Sequence, residues 1–573
     1  MAQRMESVAP PGEVMLSTST ARLVVGNADL AVPELVHIKG SGTPVPARRL
    51  IGMRHDRIVT LAVSDLVGRR QELSTLEASL NRAIDGDGAV VGVVGPPGIG
   101  KSRLMHEISA SARTRGLQVF TVFCESHTSQ IPFHVLTRLL RAATGVEGCE
   151  ARTARALLRE RFADADGDDL LLLADLLGIA DSDAVTPRID PDARRRRLTA
   201  LVRAALMARE APALYIIEDV HWIDQVSESM LTEFLAVVAQ TTSLVIVTYR
   251  PEYSGALLQS AEILALEPLS DAEAAALVTQ LLGPDPSVAD VCRMILDKAS
   301  GIPFFAEEIV RDLAERGLLR GEVGAYRSPV SVGGMNVPPT LQAVIGARID
   351  RLEPSAKRAL AAAAVVGSRF SADLLARLGI PSDVGDLITA QFIDQVEVAG
   401  PPEYVFHHPL IRAVAYESQL RSDRAYMHRR VAAALQQREP DSADENAALI
   451  AEHLEAAGDA RAAYDWHMRA ASWARSRDVT AARLSWERAR TIADELPPDV
   501  VNRASLSVAP RTMLCATAYR VRAHDAGARF AELRQLCSAA GDKPSLAIAM
   551  AGLVMDHAYQ AEFVTHRGWH RKP

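Results

Sequence analysis

The chain is 573 residues long, with 63 Lys and Arg against 71 Asp and Glu, a formal net charge of −8 and 48% hydrophobic residues. A length of this kind implies several domains of about 100–200 residues each, and scattered positive charge under a mild acidic excess argues against a nucleic-acid or acidic-membrane surface. The five cysteines, Cys124, Cys149, Cys292, Cys515 and Cys537, lie far apart without a C-x-x-C pair, and no apolar stretch nears the roughly 20 residues of a membrane helix; reduced thiols in a cytoplasmic protein with no membrane contact are expected.

Residues 1–50 leave little room for a domain. Residues 1–6 read as the end of a helix, Pro10-Pro11-Gly12-Glu13 as a turn, and residues 14–17, 28–32 and 35–38 as short strands. Ala2-Gln3-Arg4-Met5-Glu6, then Ala9-Pro10-Pro11-Gly12-Glu13-Val14 and a strand ending Lys39-Gly40, resemble the last segment of a class III nucleotide cyclase domain. In that family the arginine matching Arg4 stabilises the transition state. The family's neighbouring asparagine, metal-binding aspartates and substrate lysine have no counterpart, and without metal carboxylates a cyclase cannot activate its ribose hydroxyl. The segment is therefore read as a C-terminal remnant and Arg4 as structural, followed by a linker over residues 51–64.

Asp65-Leu66-Val67-Gly68-Arg69-Arg70-Gln71-Glu72-Leu73 reads as a helix start, with Asp65 as cap and an amphipathic helix over 70–83. The same residues resemble the V-G-R-x-x-E-L box of AAA-type ATPases and of the STAND class of signal-transduction ATPases. There the box lies along adenine, which nominates Val67 and Gly68. The apolar run 90–94 then leads into Gly95-Pro96-Pro97-Gly98-Ile99-Gly100-Lys101-Ser102, a match to G-x-x-x-x-G-K-[ST], with Arg103 continuing into a helix. Strand, glycine loop and helix together form a phosphate cradle: backbone N–H groups and the helix N-terminus face the phosphates, Lys101 adds a full charge, and the Ser102 hydroxyl holds Mg²⁺.

A second strand is expected over 117–123, with helices over 135–143, 164–180 and 191–208. Arg194-Arg195-Arg196-Arg197 sweep around a helix rather than line one face, so a solvated turn is expected; a trans-acting arginine finger is the minority reading. Ala213-Leu214-Tyr215-Ile216-Ile217-Glu218-Asp219 is a buried strand ending in two carboxylates, a Walker B signature. Such charges need a cation or a substrate proton, so Glu218 takes the magnesium position and Asp219 polarises the attacking water, the two roles being exchangeable. The following Val220-His221-Trp222-Ile223-Asp224 resembles the L-H-W-x-D extension of cyclase-linked and LuxR-type regulators, where His221 and Trp222 read as packing and polar tethering. Another buried strand, 244–249, ends in Arg250, which either senses the γ-phosphate or pairs with a Walker B carboxylate.

Ser270-Asp271-Ala272-Glu273 caps the first helix of a small lid, continued over 275–282 and 288–299. Gly301-Ile302-Pro303 resembles the G-x-P motif of STAND lids, whose proline packs on adenine; an ordinary first-turn proline is the equal alternative for Pro303. Short helices over 337–378 and a hairpin of 390–398 with 403–406 give the order of a winged helix. Phe406-His407-His408-Pro409-Leu410-Ile411-Arg412 resembles the M-H-D-L-x-R box of STAND proteins, with Pro409 replacing the aspartate, so the resemblance places His408 at the β-phosphate of ADP. Without a basic recognition helix this unit is a switch and not a DNA reader. Helices over 424–439, 443–457, 460–476, 481–496, 511–527, 530–540 and 544–560, with Tyr464, Trp466, Trp473 and Trp486, suggest tetratricopeptide-like hairpins, and 561–573 an irregular tail.

The expected fold is a multidomain α/β plus α chain: remnant 1–50, linker 51–64, P-loop NTPase with parallel sheet 65–256, helical lid 257–336, winged helix 337–423, helical repeats 424–560 and tail 561–573. The chain resembles the cyclase-associated STAND ATPases of actinobacterial regulators, truncated at both ends. That resemblance implies Mg²⁺, binding of ATP and ADP with slow hydrolysis, a protein or small-molecule inducer on the repeats, nucleotide-dependent self-association, and no direct DNA binding. Two other classes are kept beside it: part of a nucleotide cyclase system, and a DNA-binding regulator lacking its helix-turn-helix. A non-functional product of a broken longer gene is the third.

Overall fold

The computed structural model describes residues 14–17, 28–31, 34–36, 45–53 and 66–569, except 127, 182–186, 188, 208, 210, 331–334, 381–383, 397–401, 439–442 and 522–524. Arg4, Asp65 and the motifs expected at 1–13 and 39–40 lie outside these residues. Strands β1 (Val14–Ser17), β2 (Ala28–Leu30) and β3 (Glu34–Val36) all pair antiparallel with β4 (Val45–Met53). β4 corrects the expected boundary, because ordered sheet continues past residue 50 into the linker assigned to 51–64. Pro46 near its start and the adjacent Arg48 and Arg49 hide the alternation by which a strand is read.

Helix α1 (Arg70–Ile84) leads to β5 (Ala89–Val94), α2 (Lys101–Thr114) and β6 (Gln118–Phe123). Helices α3 (His134–Thr144), α4 (Ala151–Arg161), α5 (Gly167–Leu176) and α6 (Pro191–Met207) precede β7 (Ala213–Glu218), α7 (Gln225–Leu235), β8 (Ser243–Tyr249) and β9 (Glu262–Ala265). The strands form one parallel sheet of order β6-β7-β8-β5-β9. Their sequences are apolar at consecutive positions because both faces are covered. Val91, Val93, Leu214, Ile216, Leu244 and Ile246 pack beneath α1 and α2, while Val90, Tyr215, Ile217, Val245 and Val247 join the core on the other face. The chain leaves β5 for β6 across two intervening strands, and such a reversal of strand order opens a ligand crevice at the strands' carboxyl ends.

Arg194–Arg197 lie inside the expected helix, α6, but correct the expectation of a solvated turn: Arg194 is only 4% exposed, donating to Leu172 O and Asp175. Four consecutive residues surround a helix, so one of them has to face inward. Here that residue found a carboxylate.

The stretch expected as a lid comprises α8 (Asp271–Leu282), whose Ser270–Glu273 capping box is fully formed, α9 (Ala289–Ala299) and α10 (Pro303–Glu315). The next unit has α11 (Leu341–Asp350), α12 (Pro354–Val366), β10 (Arg369–Ser371), α13 (Ala372–Arg377), α14 (Gly385–Thr389), β11 (Ile393–Val396), β12 (Glu403–Phe406) and α15 (Pro409–Glu417), with an antiparallel sheet ordered β10-β12-β11. A buried ion network fuses the two units: Arg348 binds Glu308 at 2.6 Å, with Ala390 O also 2.6 Å away, and lies 4.6 Å over the Phe392 ring.

The helical arm runs through α16 (Arg421–Arg438), α17 (Ala447–Ala456), α18 (Ala460–Ala474), α19 (Val479–Glu495), α20 (Arg503–Ala516), α21 (Ala526–Ala540) and α22 (Lys543–Trp569). α20 starts at Arg503, before the expected residue 511, and carries Pro510 buried inside it. It also stops at Ala516 rather than 527, and α22 continues to Trp569 where an irregular tail was expected. The arm does not project away. Ala471, Ala474, Ala481, Ala482, Trp486 and Leu514 complete the same core as Leu172 and Leu173, and Arg477 binds the second oxygen of Asp175 at 2.6 Å.

Candidate functional site

The loop Gly95–Gly100 caps the carboxyl end of β5, and Gly95 N–H donates to Tyr249 O at 3.3 Å, so the loop is tied to β8 as well. Gly98 has φ +77, and a Cβ there would stand 3.3 Å from both Ile302 and Phe304, which explains glycine at that point. Lys101 is 8% exposed and curls back so that Nζ donates to Gly95 O at 2.7 Å and Pro96 O at 3.1 Å. Burial lowers its pKa, with Arg250 acting in the same direction and Asp219 and Glu218 against it.

Ser102 Oγ donates to Glu218 Oε2 at 2.7 Å, joining the first turn of α2 to the end of β7. Burial pushes Glu218 up to about 7, with Asp219 adding to the rise and Ser102 and Lys101 opposing it. Asp219 follows in a left-handed conformation, φ 57, with its N–H donating to Thr248 Oγ1 at 3.0 Å. Burial raises its pKa too, against Lys101 and Arg250. Arg250 makes no ion pair among the described residues, so the pairing with a Walker B carboxylate is not formed; its charge acts on Lys101, Asp219, His221 and His408.

The remaining expected residues are partly brought in. Ile99 is fully buried as a core anchor, Pro97 is exposed, and Arg103 pairs with Glu107 one turn along α2 at 2.6 Å. Val67 packs against the core shared by α8, α9 and α10, and a Cβ on Gly68, φ +69, would stand 2.7 Å from Glu273 Oε1. Pro303 opens α10 beside a crevice of about 10 Å³, too small as it stands for an adenine ring. Phe304 N–H donates to Gly98 O at 3.3 Å, so α10 begins on the Gly95–Gly100 loop.

Phe304 also stacks on His408, centroids 3.9 Å apart. His408 caps α15, its Nδ1 accepting from Leu410 N–H at 3.1 Å. Burial, with His407, Lys101 and Arg250, holds its pKa at about 3, so the neutral ring carries its proton on Nε2. Sequence reasoning missed Arg69: 7% exposed at φ 58, it donates to Ile99 O at 3.2 Å, to Glu267 O and to Glu72. Its place in the box was visible, but its reach to the loop thirty residues on was not. His221 was expected to serve packing and polar tethering; both its ring nitrogens are buried and neither is hydrogen-bonded among the described residues.

Residues 65–247 match the AAA ATPase domain family. Over 485 residues the chain is 29% identical to an uncharacterized protein of Rhizobium meliloti (strain 1021), covering 80% of this chain and 46% of that one; it thus spans about half the length of this relative. Among solved structures it is similar to a STAND protein with a tetratricopeptide repeat sensor from Pyrococcus horikoshii, at 14% identity, 87% and 68% coverage and a TM-score of 0.42. The DNA-bound origin recognition protein of Aeropyrum pernix gives 14% identity, 62% and 94% coverage and a TM-score of 0.30. No helix among the described residues is long and apolar enough to cross a membrane.

Proposed function

We propose that the chain is a nucleotide switch of the STAND kind: it binds ATP and ADP at the phosphate loop, hydrolyses ATP slowly, and passes the difference to the helical arm. The observation that carries this is the 2.7 Å bond between Ser102 and the buried Glu218, formed across two elements with Lys101 and Arg250 alongside. A hydroxyl beside a costly buried carboxylate fits a hard divalent cation, so Ser102 and Glu218 would hold Mg²⁺, which neutralises phosphate charge when bound. Asp219 stands beside them as the group that takes the proton of the attacking water. The water oxygen bonds to the γ-phosphorus while the bridging bond breaks, and its electron pair leaves with ADP.

Residues 337–423 act in this reading as a winged-helix switch, with His408 Nε2–H directed to the β-phosphate of ADP and Phe304 linking it to the loop. Residues 424–560 act as tetratricopeptide-like repeats that take the inducer, and the sheet of 14–53 as a cyclase remnant without activity. The test is titration of the full chain with a fluorescent ATP analogue and Mg²⁺. Charge-assisted phosphate contacts contribute about 1.5–3 kcal/mol, so Lys101→Ala should weaken binding about ten- to a hundredfold. Equal affinity in a folded Lys101→Ala chain refutes the proposal.

A further inference from the structure

His221 is a polar side chain of this site that the reading above does not employ. It belongs to the short turn Val220–Trp222 after Asp219, its side chain is 10% exposed, and among the described residues neither Nδ1 nor Nε2 has a hydrogen-bond partner. Packing against Trp222, whose ring centroid is 5.2 Å away, does not account for an imidazole, because an apolar side chain would fill the space without two unsatisfied buried nitrogens. The ring is placed for one neighbour in particular: Nδ1 stands 3.8 Å from Asp219 Oδ1, just beyond hydrogen-bond reach.

Asp219 needs such a partner. Its backbone is held by Thr248, but among the described residues no hydrogen bond fixes its carboxylate. A carboxylate that is to accept a proton from water has to be aimed, and a free one rotates. On its other side His221 lines an open cleft of about 450 Å³ together with Trp222, Arg250, Glu252 and Tyr253, so solvent reaches the space beside His221 and Arg250. Burial and the charges of Arg250 and Lys101 hold the imidazole neutral, its pKa near 3, which leaves one nitrogen a donor and the other an acceptor.

We propose that His221 is a positioning residue for ATP hydrolysis: Nδ1–H closes the gap to the Asp219 carboxylate and turns it to the attacking water. The proposal rests on the nucleotide-switch reading. His221 itself neither gains nor loses a proton; the water proton goes to Asp219 and from there to the released phosphate.

The full chain is assayed for steady-state ATP hydrolysis, ATP-analogue affinity and thermal midpoint as wild type, His221→Ala, His221→Asn, His221→Gln and His221→Leu. An Asn amide nitrogen reaches the place of Nδ1 and a Gln amide nitrogen that of Nε2. Expected is a fall of about tenfold in kcat for His221→Ala, the rate equivalent of one ordinary hydrogen bond, with affinity within about twofold of wild type. His221→Asn recovers most of the rate, whereas His221→Gln and His221→Leu do not, and adding His221→Ala to Asp219→Asn costs nothing more. Should His221→Ala fail to fold, the Asn and Gln variants decide the matter between themselves. Unchanged kcat in His221→Ala, or equal rescue by Gln or Leu, overturns the role. A chain that binds ATP in a Lys101-dependent way without turning it over also overturns it but leaves the binding reading intact; a chain that binds no ATP removes both.

Discussion

Replacing Glu218 by Gln separates the cost of the buried charge from its use. In the folded protein Glu218 is 5% exposed and titrates near 7 against an ordinary 4.5, so folding favours the protonated form. A raised carboxylate contributes its stability fully below the unfolded value and loses it as pH climbs through the folded one. Between pH 4.5 and 7 the nucleotide-free protein should therefore lose stability as this group ionises, up to about 3 kcal/mol at 1.4 kcal/mol per unit. Gln keeps an acceptor for Ser102 Oγ and never ionises. Glu218→Gln should thus match wild type below pH 4.5 and exceed it by about 3 kcal/mol above pH 8, or roughly 6–12 °C in midpoint for a unit of 150–250 residues. Differential scanning fluorimetry from pH 4.5 to 8.5, with and without Mg-ATP, reads this directly. Magnesium with ATP should reverse the order at pH 8, because only the wild type gains from the cation. A Gln variant that is less stable than wild type at pH 8 without nucleotide would refute the reasoning, since the carboxylate would then be a structural ion and not a ligand awaiting one.

Asp219→Asn should abolish most hydrolysis with ATP affinity retained, and the fold should persist because Asn tolerates the left-handed backbone at φ 57; an unchanged rate removes Asp219 from the chemistry. His408→Ala should weaken ADP more than ATP by about 1.5–3 kcal/mol and cost about 1 kcal/mol of helix capping, while His408→Asn restores the cap but not the ADP preference; equal loss for both nucleotides makes His408 structural only. Asp175→Ala leaves Arg194 and Arg477 without their shared carboxylate and should destabilise the chain by about 3–5 kcal/mol, with faster proteolysis of α18 and α19; a loss under 1 kcal/mol in chemical denaturation contradicts this.

The parts legible in the sequence were those whose chemistry is local. The phosphate loop, the Ser270–Glu273 box and the Walker B strand each declare themselves within about ten residues, because backbone geometry and charge burial fix them there. Contacts between distant segments were not legible. Nothing in Arg194 announces Asp175, nothing in Arg69 announces Ile99 O, and nothing in Pro510 announces the helix that runs through it. The site stands between these cases: Glu218 and Ser102 were each readable, their meeting followed from the fold they imply, and the stacking of His408 on Phe304 was not foreseeable from either segment.

The return of the helical arm onto the sheet's far face has a consequence for how the chain is made. Asp175 and Arg477, which touch, are separated by 302 residues. At synthesis rates of about 5–20 residues per second, the face carrying Leu172 and Leu173 emerges some 15–60 seconds before Trp486 and Leu514 arrive to cover it. During that interval the nascent NTPase unit exposes an apolar surface that is interior in the finished molecule. The prolonged exposure should make this face prone to aggregation until the arm arrives, and truncations ending before α18 should be recovered mainly as insoluble protein.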